Sequence, residues 1–295
     1  MGWFSQKNFG KDRMKVIHLN HPIDDQERAE LLFSGHLLVY TQRESMIELI
    51  EFTKALLKEH LGELDPTHAQ HQLNKQDFLK ATGAAQTQFR CSEKARQLFF
   101  HVLNECGIDP KVCYYDHFPL RVVPFAEQHK GADRAAIGHH RDTWGSNINC
   151  QQNWWAPIFD LTTERTIAIY PDYWGKPLAN TTATWCFDTL LEKRNEAQRE
   201  RIFDYPSAPS PIEKVNEDGV VKLIIQPGDV LNFASAQLHA SVPNTSSETR
   251  FSVEMRTISV EDLNTMRQAP NLDNAGTKPM YSWFKNIETK QALVY

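Results

Sequence analysis

The feature that most constrains this chain is a change of character at Pro110. Beyond it, short segments rich in Val, Ile, Tyr, Phe, Trp and Thr are separated by Pro, Gly and Asn, the pattern of strands and turns. Strands are expected near 114–124, 136–142, 151–160, 166–170, 220–225, 230–233 and 249–258, with a helical insertion over about 188–203. Parallel strands need crossovers of about a dozen residues or more, usually helices, and these strands lack a helix between each pair. The pattern therefore favours an antiparallel double-sheet barrel over a βαβ sheet.

Before Pro110 the chain reads as helical. Asp24 and Asp25 suit the cap of a helix over 26–33, and Gly35 then releases an apolar strand, Leu37-Leu38-Val39-Tyr40. From Glu44 to Leu61, Met46, Ile47, Leu49, Ile50, Phe52, Leu56 and Leu57 recur at helical spacing, and Gly62 supplies a stop. Ser92 is placed to cap a helix to Cys106, ended by Gly107. The expected class is α+β, mainly β with helical additions. All 295 residues are expected to form one unit: a helical part over about 1–110, a β core over about 111–260 with an insertion near 172–215, and a tail over 261–295 without clear period.

Charge and cysteine usage remove several functions. The net charge is −5, and the densest charged run, 192–201, alternates in sign as a solvated helix face does. A nucleic-acid partner, which needs a basic surface, is not expected. Five scattered cysteines, with no C-x-x-C, fit neither a disulfide framework nor a zinc finger. The first residues carry no apolar core of a signal peptide, and Gln6 stands where a myristoylation site wants Ser or Thr. No run of about 18 apolar residues occurs. A cytoplasmic protein with a small-molecule substrate and no membrane partner is expected.

The chemistry concentrates in Gly138-His139-His140-Arg141-Asp142-Thr143-Trp144. On a strand, residues two apart share a face, so His140 and Asp142 would aim an imidazole and a carboxylate at one point. His139 competes, but its partner two residues on is Arg141, which cannot bind a cation. His239 is the best third ligand; it follows a Pro227-Gly228-Asp229 turn and an apolar strand. Two His and one carboxylate on one face leave three positions of an octahedral iron open, as a co-substrate and O₂ require. The same set also suits Zn²⁺. Arg250 lies eleven residues after His239, and Ser252 shares its face on the strand. A guanidinium matches a carboxylate bidentately, and a hydroxyl adds a third donor. Arg250, Ser252, Glu254 and Arg256 form the polar face of that strand, opposite Phe251, Val253 and Met255.

Together these residues resemble the non-heme Fe(II)/2-oxoglutarate oxygenases, in particular their phytanoyl-CoA dioxygenase-like branch. The similarity runs over about 114–258: H-x-D at His140-Arg141-Asp142, the Pro-Gly-Asp turn, His239, and the strand Arg-Phe-Ser-Val-Glu-Met-Arg from Arg250. The resemblance implies a double-stranded β-helix (jelly-roll, cupin-like) core with N-terminal helices. It implies Fe(II) held by His140, Asp142 and His239. It further implies 2-oxoglutarate with its distal carboxylate on Arg250 and Ser252, and hydroxylation of a substrate C–H bond by O₂ with release of succinate and CO₂. Halogenases of this superfamily lack the carboxylate ligand; Asp142 is present, which favours hydroxylation or a related oxidation. Gln152 or Asn153 would add polar contacts to the co-substrate, and Tyr170-Pro171-Asp172-Tyr173-Trp174-Gly175 replaces the family's usual turn.

Trp144, two residues beyond Asp142, is expected to touch substrate, whereas His139 and Arg141 point away. Lys130 and Arg134 lie in a polar loop over 127–133 and its edge that could close over the site. Two alternatives stand beside the oxygenase: a cupin-like Zn²⁺ or Mn²⁺ enzyme without 2-oxoglutarate, for which Arg250 is dispensable, and a non-catalytic jelly-roll binding module, for which His239 is dispensable.

Overall fold

The computed structural model describes residues 14–125, 137–200, 206 and 208–295. In chain order the elements begin with β1 (Val16–Leu19), α1 (Asp25–Phe33), β2 (Leu37–Tyr40), α2 (Glu44–Leu61), α3 (Ala69–Gln72), α4 (Lys75–Cys91) and α5 (Glu93–Glu105). There follow β3 (Cys113–Tyr115), β4 (Leu120–Val123), α6 (Asp142–Ser146), β5 (Gln152–Pro157), β6 (Ile167–Ile169), α7 (Phe187–Glu200), β7 (Val221–Lys222) and β8 (Val230–Ala234). The last are β9 (His239–Ser241), β10 (Arg250–Ser259), α8 (Val260–Asn264) and β11 (Lys285–Asn286). The structure is mixed α+β.

The helical start follows from its caps. Asp24, Asn74 and Ser92 each accept a hydrogen bond from a backbone N–H three residues on, at 2.8, 2.9 and 3.2 Å, which satisfies a donor the first helical turn leaves free. Gly107 ends α5 at φ +91, and a Cβ there would lie 2.2 Å from the Ile23 carbonyl oxygen, so only glycine fits.

Eight strands form the larger sheet, in the order β1-β2-β8-β5-β10-β3-β11 with β4 also paired to β10; the smaller sheet runs β7-β6-β9. Among the described residues, only β1 and β2 pair in parallel. Along β10 and β5 the side chains alternate between two layers. Phe251, Val253, Met255 and Trp154 join the large core beneath the helices, with Leu49, Phe89 and Phe99. On the other face, Trp155, Leu231, Phe233, Leu37 and Val39 pack against Ile167 and Ile169 of the smaller sheet. The site occupies this inter-sheet layer.

Several expectations are corrected here. Instead of a closed barrel, the described residues form two open, facing sheets. The strand expected over 114–124 is two, β3 and β4, both paired to β10. The strand expected over 136–142 is reduced to a single bridge at His140, and Asp142 opens α6 instead. The expected strand over 220–225 contracts to Val221–Lys222. Among the described residues, no helix is long and apolar enough to cross a membrane.

Candidate metal centre

His140 and His239 are fixed to one another before any ligand is considered. The His140 N–H donates to the His239 carbonyl and the His239 N–H to the His140 carbonyl, both at 3.0 Å. The reciprocal pair brings the two rings together, tilted, with centroids 4.2 Å apart. Each ring is then oriented by a carbonyl two residues earlier: Nδ1 of His140 lies 2.8 Å from the Gly138 oxygen, and Nδ1 of His239 lies 3.0 Å from the Gln237 oxygen. A carbonyl only accepts, so each Nδ1 carries the proton and each Nε2 keeps its lone pair. Those Nε2 atoms face Asp142, at 4.0 Å from Oδ1 for His140 and 3.4 Å from Oδ2 for His239. One potential ligand atom from each of the three residues lies within 4.8 Å of the others. Two donors about 2.1 Å from one ion sit roughly 3.0–3.4 Å apart, so the donor set fits a divalent metal after a small contraction.

Asp142 reaches this position by a route the strand argument did not foresee. Arg141 is extended, and Asp142 is the first residue of α6, whose Thr143 N–H donates to the Ser235 carbonyl at 3.3 Å. Two side chains then hold the carboxylate. Asn153 Nδ2 donates to Oδ2 at 2.5 Å and Arg256 donates to Oδ1 at 3.3 Å, while Asn153 Oδ1 accepts from the Ser235 hydroxyl at 2.5 Å. Arg256 is anchored in turn on the buried Asp116, at 2.6 Å. Burial raises the Asp142 pKa, but Arg256 and the two imidazoles outweigh it and hold the group at about 2. Burial, with His239 beside it, pushes the His140 imidazole down to about 4. At neutral pH Asp142 is therefore a carboxylate and His140 a neutral base, the forms that bind metal.

Further along the same face of β10 stands Arg250, 3% exposed. It donates to the Thr166 carbonyl at 2.6 Å and the Ser241 hydroxyl at 3.2 Å, and lies over the Trp155 ring at 6.0 Å. Among the described residues no carboxylate pairs with it, because the nearby Glu254 is taken by Arg121 at 2.5 Å. Its Nε and the Ser252 hydroxyl are both buried without a partner among the described residues. A buried cation with neutral partners is costly unless an anion completes it. Arg250 and Ser252 therefore suit a ligand carboxylate.

Other expected residues fall elsewhere. Asn153 touches Asp142, but strand alternation turns its neighbour Gln152 to the helix-packed face, where it pairs in register with Thr257. Trp144 is a core residue, 2% exposed: on a helix, two positions rotate a side chain by about 200°, so it does not share the face of Asp142. Its indole N–H donates to Asp273 at 2.7 Å. His139 turns away to the Tyr170 hydroxyl at 2.9 Å. Lys130 and Arg134 lie outside the described residues. Sequence reasoning missed the hold of Arg256 and Asp116 on Asp142, although Arg256 shares the alternate face of Arg250 and could have been read from that.

No protein-family model matches the chain, and no curated protein is similar to it in sequence. Among solved structures, it is similar to the apo form of ThoJ, described as a non-heme monooxygenase, at 13% identity and a TM-score of 0.46, over 78% of this chain and 76% of that one. It is also similar to EvdO2 from Micromonospora carbonacea var. aurantiaca complexed with 2-oxoglutarate, at 12% identity and a TM-score of 0.43, over 82% of this chain and 93% of that one. Likenesses this distant carry no argument about chemistry; the functional reading rests on the centre itself.

Proposed function

We propose that this chain is an Fe(II)- and 2-oxoglutarate-dependent oxygenase, with a double-stranded β-helix core, that oxidises a C–H bond of a small molecule. The observation that carries the reading is the buried, carboxylate-free Arg250 on the face that also holds Asp142 through Arg256. For a cupin-like Zn²⁺ or Mn²⁺ enzyme without 2-oxoglutarate Arg250 is dispensable, whereas a dicarboxylate co-substrate needs a cation to take its second carboxylate.

His140 and His239 turn their Nε2 atoms toward Asp142, whose carboxylate is fixed by Asn153 and Arg256. Arg250 and Ser252 would hold the distal carboxylate of 2-oxoglutarate. Trp155, Ile167, Leu231 and Phe233 keep water from that layer and strengthen the interactions within it. Iron bound with 2-oxoglutarate and O₂ supplies the oxidation, in which the keto acid leaves as succinate and CO₂ and the substrate gains oxygen.

The test is an anaerobic visible spectrum. Protein with Fe(II) and 2-oxoglutarate is expected to show a weak charge-transfer band, absent in Asp142→Ala and weakened in Arg250→Ala. Iron binding without any band would remove the co-substrate and leave a cupin-like metalloenzyme. No metal binding at all would end the reading.

A further inference from the structure

We infer that Asp273, in the segment after β10, is a positioning residue for the metal centre: it locks Arg141, and through it both ligand-bearing segments, into the arrangement that brings His140, Asp142 and His239 together. The inference rests on the metal reading above and adds a residue far from the ligands in sequence.

One carboxylate makes three bonds. Asp273 Oδ2 accepts from Arg141 Nε and from the Leu178 N–H, each at 3.1 Å, and Oδ1 accepts from the Trp144 indole at 2.7 Å. Arg141 and Trp144 flank Asp142 in the chain, so Asp273 grips α6 on both sides of the ligand. Arg141 also donates to the carbonyl of Ala236, in the turn that leads to His239, and to those of Tyr173 and Lys176 at 2.9 Å each. It is 4% exposed, and Asp273 is its only carboxylate partner among the described residues.

The neighbouring residues extend the strap. Asn274 Nδ2 donates to the Thr143 carbonyl at 2.5 Å, Asn147 Nδ2 donates to the Gly276 carbonyl at 2.9 Å, and the Met280 N–H donates to the Ser146 carbonyl at 2.9 Å. A short helix such as α6 does not hold its own shape; packing and external bonds must fix it. Without the Asp273 carboxylate, Arg141 would be a buried cation with only neutral partners. That state is costly, and it would loosen the hold of Arg141 on the Ala236 carbonyl and on the backbone next to Asp142.

The experiment titrates metal-free protein with Co(II) and follows the visible spectrum, with circular dichroism and thermal melting alongside. Asp273→Ala is expected to weaken Co(II) binding about tenfold or more, the scale of losses when outer supports of a metal ligand are removed, and to alter the ligand-field bands. Trp144→Phe, which leaves the carboxylate on Arg141, is expected to lose less. Asn286→Ala removes donors to the Lys111 and Cys113 carbonyls at 2.9 and 3.3 Å, in the same tail but away from the centre. It is expected to lower the melting midpoint with Co(II) affinity unchanged. A folded Asp273→Ala within twofold of wild type, or an equal loss in Asn286→Ala, overturns the inference. If Asp273→Ala does not fold, Asp273→Asn decides by the same criterion. A wild type that binds no Co(II) overturns the metal reading and this inference together, whereas an unaffected Asp273 variant overturns the inference alone.

Discussion

Asn153→Ala tests how the site holds its carboxylate. The amide donates to Asp142 Oδ2 at 2.5 Å, and its own oxygen is fixed by the Ser235 hydroxyl at 2.5 Å. A hydrogen bond to a charged group contributes about 1.5–3 kcal/mol, and about 1.4 kcal/mol is tenfold in affinity. Arg256 stays on the other oxygen, so Asp142 keeps one support and the lower half of that range applies. Metal affinity is therefore expected to fall roughly 10- to 40-fold. Ser235→Ala removes only the hydroxyl that orients Asn153 and is expected to lose less. Anaerobic titration with Fe(II) or Co(II) measures both, with circular dichroism confirming an unchanged fold. A folded Asn153→Ala whose metal affinity lies within twofold of wild type would refute the assignment of Asn153 as the support of Asp142.

Two further outcomes follow from the burial of His140 and the backbone at Gly107. The His140 pKa is pushed from 6.5 to about 4, so below pH 6.5 the unfolded chain takes up a proton that the folded metal-free protein refuses. Stability is then lost as pH falls from 6.5 to about 4, by about 3 kcal/mol at most, and His140→Gln is expected to flatten that part of a urea-midpoint profile against pH. The loss from Asp142, whose pKa is lowered to about 2, falls in a lower window, below its ordinary 3.8, so the two are separable. Gly107→Ala puts a Cβ 2.2 Å from the Ile23 carbonyl oxygen at φ +91, and is expected to cost about 2 kcal/mol or more, read as a lowered denaturation midpoint.

The elements legible in the sequence were those with a dense apolar period or a clear cap. The expected helix from Glu44 to Leu61 coincides with α2, and Ser92 caps α5 as read. The strand after the Pro-Gly-Asp turn and the alternation of β10 also stand where expected. α4 was not read because its buried stripe is Phe78, Thr82, Ala85 and Phe89, half of it small, although Asn74 before Lys75 is a cap signal. His140, Asp142 and His239 do converge, yet by different geometry: the i, i+2 strand rule places neither Asp142 nor Trp144, because α6 begins at Asp142. The segment around Asp273 had no period to read, since it is held by side chains bonded to distant carbonyls and N–H groups rather than by its own repeat.

That strap also sets an order of events during synthesis. His140 and Asp142 leave the ribosome long before Arg256 and Asp273, which hold them, and at about 5–20 residues per second the interval is of order ten seconds. Over that interval the nascent chain carries the H-x-D pair without the Arg256 contact to Asp142 or the Asp273 contact to Arg141. On the proposed metal reading, tight binding of an ion would then wait until the strand at 250–259 and the segment behind it have docked, and the finished pocket would set which ion is held.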